Sequence, residues 1–94
     1  MEKKRMTGVE WVEFLKNHPI TELKQKLDDI LLVVSWREFA NDYMGQNAQW
    51  IHEKIDGFTM EGDSVEPMSE EELLKLKNGL FDLSERIRRT AESL

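Results

Sequence analysis

Side chains able to read DNA bases cluster in one short segment of this 94-residue chain, residues 46–52. The amides of Asn and Gln pair with adenine through two hydrogen bonds in the major groove, and Arg or Lys side chains hold flanking phosphates. If the helix that carries this segment enters the major groove, these are the side chains that meet base edges. The candidate base-reading residues are Gln46, Asn47, Gln49 and His52, and the candidate phosphate-binding residues are Arg37 and Lys54.

Metal-binding and catalytic chemistry has weaker support in the sequence. The absence of cysteine excludes thiolate metal sites and thiol nucleophiles. His52 and Asp56 are one helical turn apart and Glu53 adds a nearby oxygen, but a catalytic metal requires three converging ligands and an open position. The sequence contains no phosphate-binding glycine loop and no nucleophile elbow. We therefore expect a protein that is not an enzyme and that holds no metal or cofactor.

Electrostatic charge is unevenly distributed along the chain. The 13 basic and 19 acidic residues give a net charge of -6. Residues 58–72 hold six of the acids and no base, so the rest of the chain is balanced at 13 residues of each sign. Within residues 35–57 there are four acids and two bases, which weakens attraction to phosphate. Two hypotheses therefore stay open: the partner is double-stranded DNA, or it is another protein bound through the acidic segment or Trp50.

Capping motifs and the spacing of apolar residues predict an all-α fold of four to five helices. A Ser or Thr followed three residues later by Glu satisfies free backbone N–H groups at a helix start. Such boxes occur at residues 7–10, 35–38 and 69–72, and Thr21 is a further cap. The first helix is expected through about Lys16, and the second is expected to continue as far as the third. The expected inward residues are Val9, Trp11, Val12 and Leu15 in the first helix, and Leu23, Leu27, Ile30 and Val34 in the second.

Residues 35–57 predict two helices joined by a glycine turn. The third helix starts after Ser35 and stops at Gly45, because glycine readily adopts the positive φ of a helix end. The fourth helix is capped by Asn47 and closed by Gly57. The expected inward residues are Phe39, Ala40 and Tyr43 on the third helix, and Ala48, Ile51 and Ile55 on the fourth.

The C-terminal third of the chain predicts an acidic loop or small two-stranded wing over residues 58–68, followed by a long helix over residues 69–94. Apolar residues of this helix alternate at spacings of three and four, as in a coiled-coil seam. The first half of the seam is expected to pack on the second helix. The seam consists of Leu73, Leu76, Leu80, Leu83, Ile87 and Leu94, with Thr90 in the remaining position.

Three residues are predicted to contact a partner. Trp50 neighbours Ile51 in the sequence and cannot fully share the inward face of that residue. Ile87 and Leu94 lie on the part of the seam that extends beyond a small core. We therefore expect a homodimer through the last helix, with exposure of these two residues to solvent as the alternative.

The length fits one domain, residues 1–94. Residues 1–6, with three bases, are expected to be a flexible arm. No stretch approaches the 18 or so apolar residues of a membrane span, and no apolar run follows the charged start as in a signal peptide. We expect a cytoplasmic protein without a membrane partner.

Residues 35–57 resemble the helix-turn-helix of the lambda-repressor-like class. That motif has an apolar residue followed by Ala, a turn Gly, an apolar anchor six residues later and often a closing Gly. Here these are Phe39 with Ala40, Gly45, Ile51 and Gly57. Four residues separate Ala40 from Gly45, one more than is usual in that class, so the first helix or the turn must be altered. The resemblance implies a small DNA-binding regulator whose fourth helix enters the major groove.

A second resemblance covers roughly residues 30–94. The chain is similar to small proteins of unknown function from gut Bacteroides-type bacteria and their mobile elements. This resemblance implies an architecture, and a gene carried on a mobile element, but no particular activity. The residues that carry it are Phe39 with Ala40, Gly45, Trp50 with Ile51, Asp56 with Gly57, Gly62 with Asp63, and the leucine-rich helix from Leu73.

Overall fold

The computed structural model describes residues 7–17 and 20–94. Within these ranges the fold contains five α-helices and no β-strand, which confirms the all-α prediction. A 3-10 turn, Asp28–Ile30, follows the second helix, and a π-helical segment, Ala40–Met44, continues the third. The five helices are α1 Gly8–Asn17, α2 Glu22–Leu27, α3 Trp36–Phe39, α4 Ala48–Asp56 and α5 Glu70–Glu92. The predicted arm, residues 1–6, lies outside the described residues.

Side-chain caps start the helices where the sequence predicted them. The backbone N–H of Lys24 donates to Thr21 Oγ1 at 3.0 Å at the start of α2. A complete capping box opens α5: the N–H of Glu72 donates to Ser69 Oγ at 3.1 Å, and the N–H of Ser69 donates to Glu72 Oε1 at 2.9 Å. These bonds satisfy backbone donors that the first helical turn leaves free.

The second helix is shorter than the prediction. It ends at Leu27, and the chain reaches α3 through the 3-10 turn and an irregular turn. The carbonyl of Leu31 accepts the indole N–H of Trp36 at 2.8 Å, whereas a continuing α-helix would use it for the backbone four residues on. Ile30 and Val34 still pack against the core, as expected. The buried Trp36 therefore holds the irregular turn that leads into α3.

The predicted apolar side of α1 is wrong for Val9 and Val12, which are exposed. The helix contacts the rest of the chain through aromatic rings instead. Trp11 and Phe14 lie 5.6 and 4.9 Å, centroid to centroid, from Phe58. The helix thus packs through its aromatic side, and the two valines stay in solvent.

The acidic region folds as a loop with one isolated antiparallel bridge, between Phe58 and Ser64. The N–H of Thr59 donates to the carbonyl of Asp63 at 2.9 Å, and Gly62 has φ 84°, which favours glycine. Of the two predicted alternatives, the loop is the one observed. Met68 at its end is buried and joins the core.

The core lies between α3, the π segment, α4 and the start of α5. It consists of Leu27, Trp36, Phe39, Ala40, Met44, Ile51, Ile55, Met68 and Leu76. The predicted inward residues Phe39, Ala40, Ile51 and Ile55 are all buried, and Tyr43 and Ala48 are half-buried. The hairpin of α3 and α4 is thus the central part of the fold.

Helix α5 packs on the π segment and then extends beyond the body of the protein. A Cβ atom on buried Gly79 would lie 2.7 Å from Phe39 Cζ and 2.9 Å from Tyr43 Cβ, so the glycine permits a close approach. The sequence predicted packing on α2, which instead lies across an open groove from α5. Every residue from 84 to 94 is exposed, and the longest dimension is 51 Å. In the part of the chain described, no helix is long and apolar enough to cross a membrane.

Candidate functional site

A π-helical segment and a glycine form the connection between α3 and α4. The π segment that continues α3 ends at Met44. The N–H groups of both Gly45 and Gln46 donate to the carbonyl of Ala40, the latter at 3.0 Å. A π turn holds one more residue than an α turn, and Ala40 at the start of this segment is fully buried. Gly45, at φ 64°, then reverses the chain into α4.

Helix α4 is anchored on one side and polar on the other. Ile51 and Ile55 are 0 and 2% exposed. The candidate base-reading residues Gln46, Asn47, Gln49 and His52 are all exposed. Gln49 and His52 lie on α4, Asn47 is its N-cap and Gln46 lies in the turn before it, so the structure brings the four side chains to one exposed region around the N-terminal half of this helix.

Two of these amides also make local hydrogen bonds. Asn47 Oδ1 accepts the N–H of Trp50 at 2.8 Å and caps α4, which leaves the NH2 group of Asn47 available. Gln49 Nε2 donates to Glu53 Oε2 at 3.2 Å, which leaves the amide oxygen of Gln49 available. The caps and pairs hold the side chains in defined positions at the cost of part of their hydrogen-bonding capacity.

The two candidate phosphate ligands occupy different environments. Arg37 is exposed on α3. Lys54 is half-buried, donates from Nζ to the carbonyl of Glu66 at 2.9 Å and lies 6.0 Å from the centroid of the Trp50 ring. Lys54 therefore links α4 to the acidic loop. It does not form a joint phosphate-binding site with Arg37, which lies exposed on α3. Nothing local in the sequence signals this bond, because Lys54 and Glu66 are brought together by the path of the loop.

The C-terminus of α4 is fastened to the N-terminus of α2, a link that the sequence did not reveal. Lys24 Nζ contacts Asp56 Oδ1 at 2.9 Å. Thr21 Oγ1, besides capping α2, donates to the carbonyl of Ile55 at 2.6 Å. The ion pair compensates the charge of Asp56, so this carboxylate contributes less repulsion towards an approaching phosphate than an unpaired one.

The metal-binding alternative gains no ligand set. Among the described residues no group of three His, Asp or Glu side chains could hold an ion. His52 is exposed, and Asp56 is engaged with Lys24. His52 and Asp56 are therefore two residues one helical turn apart, without a third ligand near them among the described residues.

The predicted partner contacts fall into two kinds. Trp50 is half-buried and packs against the core, so only part of its ring is available. Ile87 and Leu94 are 58 and 102% exposed. The end of α5 therefore offers the more accessible apolar surface.

A polar contact missed by the sequence analysis fixes α5 to the π segment. The Tyr43 hydroxyl donates to Asp82 Oδ2 at 2.6 Å and accepts from Arg86 Nη1 at 2.9 Å. The hydrogen bond with Tyr43 raises the pKa of the Arg86 guanidinium, and the carboxylates of Asp42 and Asp82 add to this, so Arg86 keeps its charge. The only local sign of this contact in the sequence is that Asp82 and Arg86 are one helical turn apart and so lie on the same side of α5.

Comparisons with known proteins identify one relationship. No curated protein and no solved structure matches the chain. A family described as "Domain of unknown function (DUF5053)" matches residues 23–94, which include α3, α4, α5 and almost all of α2. Helix α1 lies outside the matched residues. Because the match covers well over half of the sequence, the chain belongs to the DUF5053 family. This agrees with the expected membership in a family of unknown function.

Proposed function

We propose that this protein is a small helix-turn-helix regulator that binds double-stranded DNA with α4 in the major groove. Four exposed side chains carry the proposal: Gln46 and Asn47 directly before α4, and Gln49 and His52 on this anchored helix. Hydrogen-bonding side chains on the outer face of the second helix of such a pair are those that meet base edges. The first helix of the pair, α3, differs from the usual motif by ending in a π segment. Ala40 is still buried and Gly45 still forms the turn, which supports the same layout.

Charge determines how strong the binding is. Arg37 is the exposed base of the hairpin, and Lys54 must first leave the carbonyl of Glu66 to reach a phosphate. Since affinity falls with salt in proportion to the number of phosphates contacted, we expect a weak complex with a shallow salt dependence, about two phosphate contacts per copy. Pairing of two copies through the end of α5, where Ile87 and Leu94 are exposed, doubles the contacts and raises affinity.

Fluorescence anisotropy with a labelled random duplex at about 50 mM salt tests the proposal. We expect binding in the micromolar range, weakened by Gln46→Ala and Gln49→Ala. Asn78→Ala is the matched control, because it removes an equally exposed amide from α5 and is expected to bind as the wild type does. No anisotropy change at tens of micromolar protein overturns the proposal, and equal weakening by the control assigns the effect to something other than α4.

The second candidate function is a protein-interaction module of the same fold that does not bind DNA. It is favoured by the excess of acids in residues 35–57 and by the engagement of Lys54 with the acidic loop. The binding surface in this case is the acidic segment, residues 58–72, together with Trp50. Affinity capture from the native host with wild type and Trp50→Ala tests it. Because Trp50 packs against the core, circular dichroism must first show that the variant is folded, and identical partners for both proteins contradict the candidate.

A further inference from the structure

An apolar groove runs between α2 and α5. It has a volume of ≈ 520 Å³ and is open to solvent. Lys26 and Lys77 lie at its edges, and Ser84 is its last α5 residue. The side chains that form its apolar lining are Leu23, Leu27, Leu73, Leu76, Leu80 and Phe81. We call it the α2–α5 groove.

From Ser84, at the end of the groove, every residue to 94 is exposed, and α5 continues through this stretch as far as Glu92. We call residues 84–94 the overhang. Leu73, Leu80 and Ile87 recur at intervals of seven along α5, and Leu94 follows at the same interval just past the helix end, so groove and overhang share one line of apolar residues. At about 1.5 Å per residue, the α5 side of the groove, from residue 73 to 84, is about 16 Å long and the helical part of the overhang about 12 Å. The chain thus exposes an apolar groove and a helix end, with Ile87 as its apolar residue, that is short enough to enter it.

We propose that the α2–α5 groove receives α5 of a second copy of this chain, in antiparallel orientation with the two-fold axis near Leu80. In this register Leu80 meets Leu80, and Leu73 in the groove of one copy meets Ile87 in the overhang of the other. Each copy gives its overhang and receives that of its partner, which is the self-complementary arrangement of a two-fold dimer. The inference deepens the dimer part of the proposed function and does not depend on DNA binding.

Charge selects the antiparallel orientation. The first turn of α5 carries Glu70, Glu71 and Glu72, whereas residues 84–92 carry three arginines and two glutamates and are basic by one net charge. Antiparallel pairing places the acidic end of each helix beside the basic end of the other. Parallel pairing would place like charges together at both ends, which is unfavourable. The same separation of charge argues for a second copy, because one chain supplies both halves of the complementary surface.

Sedimentation equilibrium of the protein alone tests the association. The wild type is expected to form dimers, and Ile87→Asp is expected to weaken them at least about tenfold, because it puts a charge where apolar surface is buried. Leu32→Asp is the matched control: Leu32 is 98% exposed and lies outside the groove, so the variant is expected to associate as the wild type does. A monomeric wild type, or equal loss of association in both variants, overturns the proposal.

Disulfide trapping tests the orientation, since the natural chain has no cysteine to interfere. The variant Leu73→Cys/Ile87→Cys is expected to form covalent dimers on mild oxidation. Its two cysteines are about 21 Å apart along one helix, too far for a bond within a chain. Ile87→Cys alone is expected to stay uncrosslinked, whereas a parallel dimer would crosslink through this residue and contradict the proposal. Both experiments omit DNA, so their failure is distinct from a failure of DNA binding.

Discussion

The two halves of α5 follow one heptad pattern but lie in different environments. In residues 70–83, Leu76 is 4% exposed, Gly79 is buried, and Leu80 and Leu83 pack against the core. In residues 84–94, every side chain is in solvent, Ile87 included. Apolar periodicity therefore predicts one apolar face along the whole helix, whereas the length of the neighbouring elements decides how much of that face the same chain covers.

The difference follows from helix length. Residues 36–44, on which α5 packs, form a rod of about 14 Å, whereas the 23 residues of α5 span about 35 Å. The surplus has no counterpart among the described residues of the chain. Substitutions at equivalent seam positions of the two halves should therefore differ sharply in their effect on stability, and this contrast can be tested directly.

The largest effect is expected from Leu76→Ala. Removing a buried leucine side chain costs its transfer free energy and leaves a cavity, about 2–5 kcal/mol of unfolding free energy. Ile87→Ala, at a seam position of the overhang, should change the unfolding free energy of the monomer by less than about 0.5 kcal/mol. Urea unfolding followed by circular dichroism at low protein concentration measures both. Equal losses of unfolding free energy in the two variants would show that the overhang is covered within one chain, and the two halves of α5 would then not differ in environment.

The next effect is expected at the closest contact of the packed half. In Gly79→Ala the new Cβ would lie under 3.0 Å from Phe39 and Tyr43, and the Tyr43 atoms concerned are next to the backbone and cannot swing away. We expect a loss of about 1–3 kcal/mol in spite of the better helix propensity of alanine. Asn78→Ala, one residue earlier and exposed, has a smaller propensity gain without the clash and should be neutral or slightly stabilising. A more stable Gly79→Ala would mean that α5 packs less closely than described.

A smaller effect is expected from Tyr43→Phe. The variant keeps the ring against Gly79 but removes the hydroxyl between Asp82 and Arg86. Because this network is exposed, its loss should cost about 0.5–1.5 kcal/mol. The double variant Tyr43→Phe/Arg86→Ala completes a thermodynamic cycle, and strict additivity would show that Arg86 does not depend on the hydroxyl.

What the sequence predicted well is local. The caps at Thr21, Asn47 and Ser69 need only a side chain and a backbone N–H three residues on, so their spacing identifies them. The exposure of the amides on α4 likewise follows from helical periodicity around Ile51 and Ile55.

What the sequence missed depends on contacts between distant segments. Gly79 lies in the middle of a helix, where it lowers helix propensity, and only the position of Phe39 shows that it permits close packing. The engagement of Lys54 with the carbonyl of Glu66 depends on the path of the acidic loop. The irregular turn before α3 is held by the Trp36 side chain, whose indole N–H donates to the carbonyl of Leu31. The close approach at Gly79, the Lys54 bond and this turn each depend on a contact that local spacing does not encode.

The smallest effect on the monomer, and the sharpest test of the two environments, is expected from Arg88→Ala. Arg88 pairs with Glu85 at 3.7 Å and with Glu92 at 3.1 Å, and all three side chains are mostly in solvent. Exposed pairs of this kind contribute about 0.3–0.5 kcal/mol, so thermal unfolding at low protein concentration should scarcely change. At concentrations where the wild type is dimeric, the variant should unfold at a lower temperature than the wild type, because it has lost attraction to the acidic start of the partner helix. Glu85→Ala removes one of the same intrahelical pairs without reducing the basic charge at the end of the overhang. If the concentration dependence of unfolding is the same for both variants, the charge of Arg88 serves only its own helix, and the overhang is a solvated helix end rather than half of an interface.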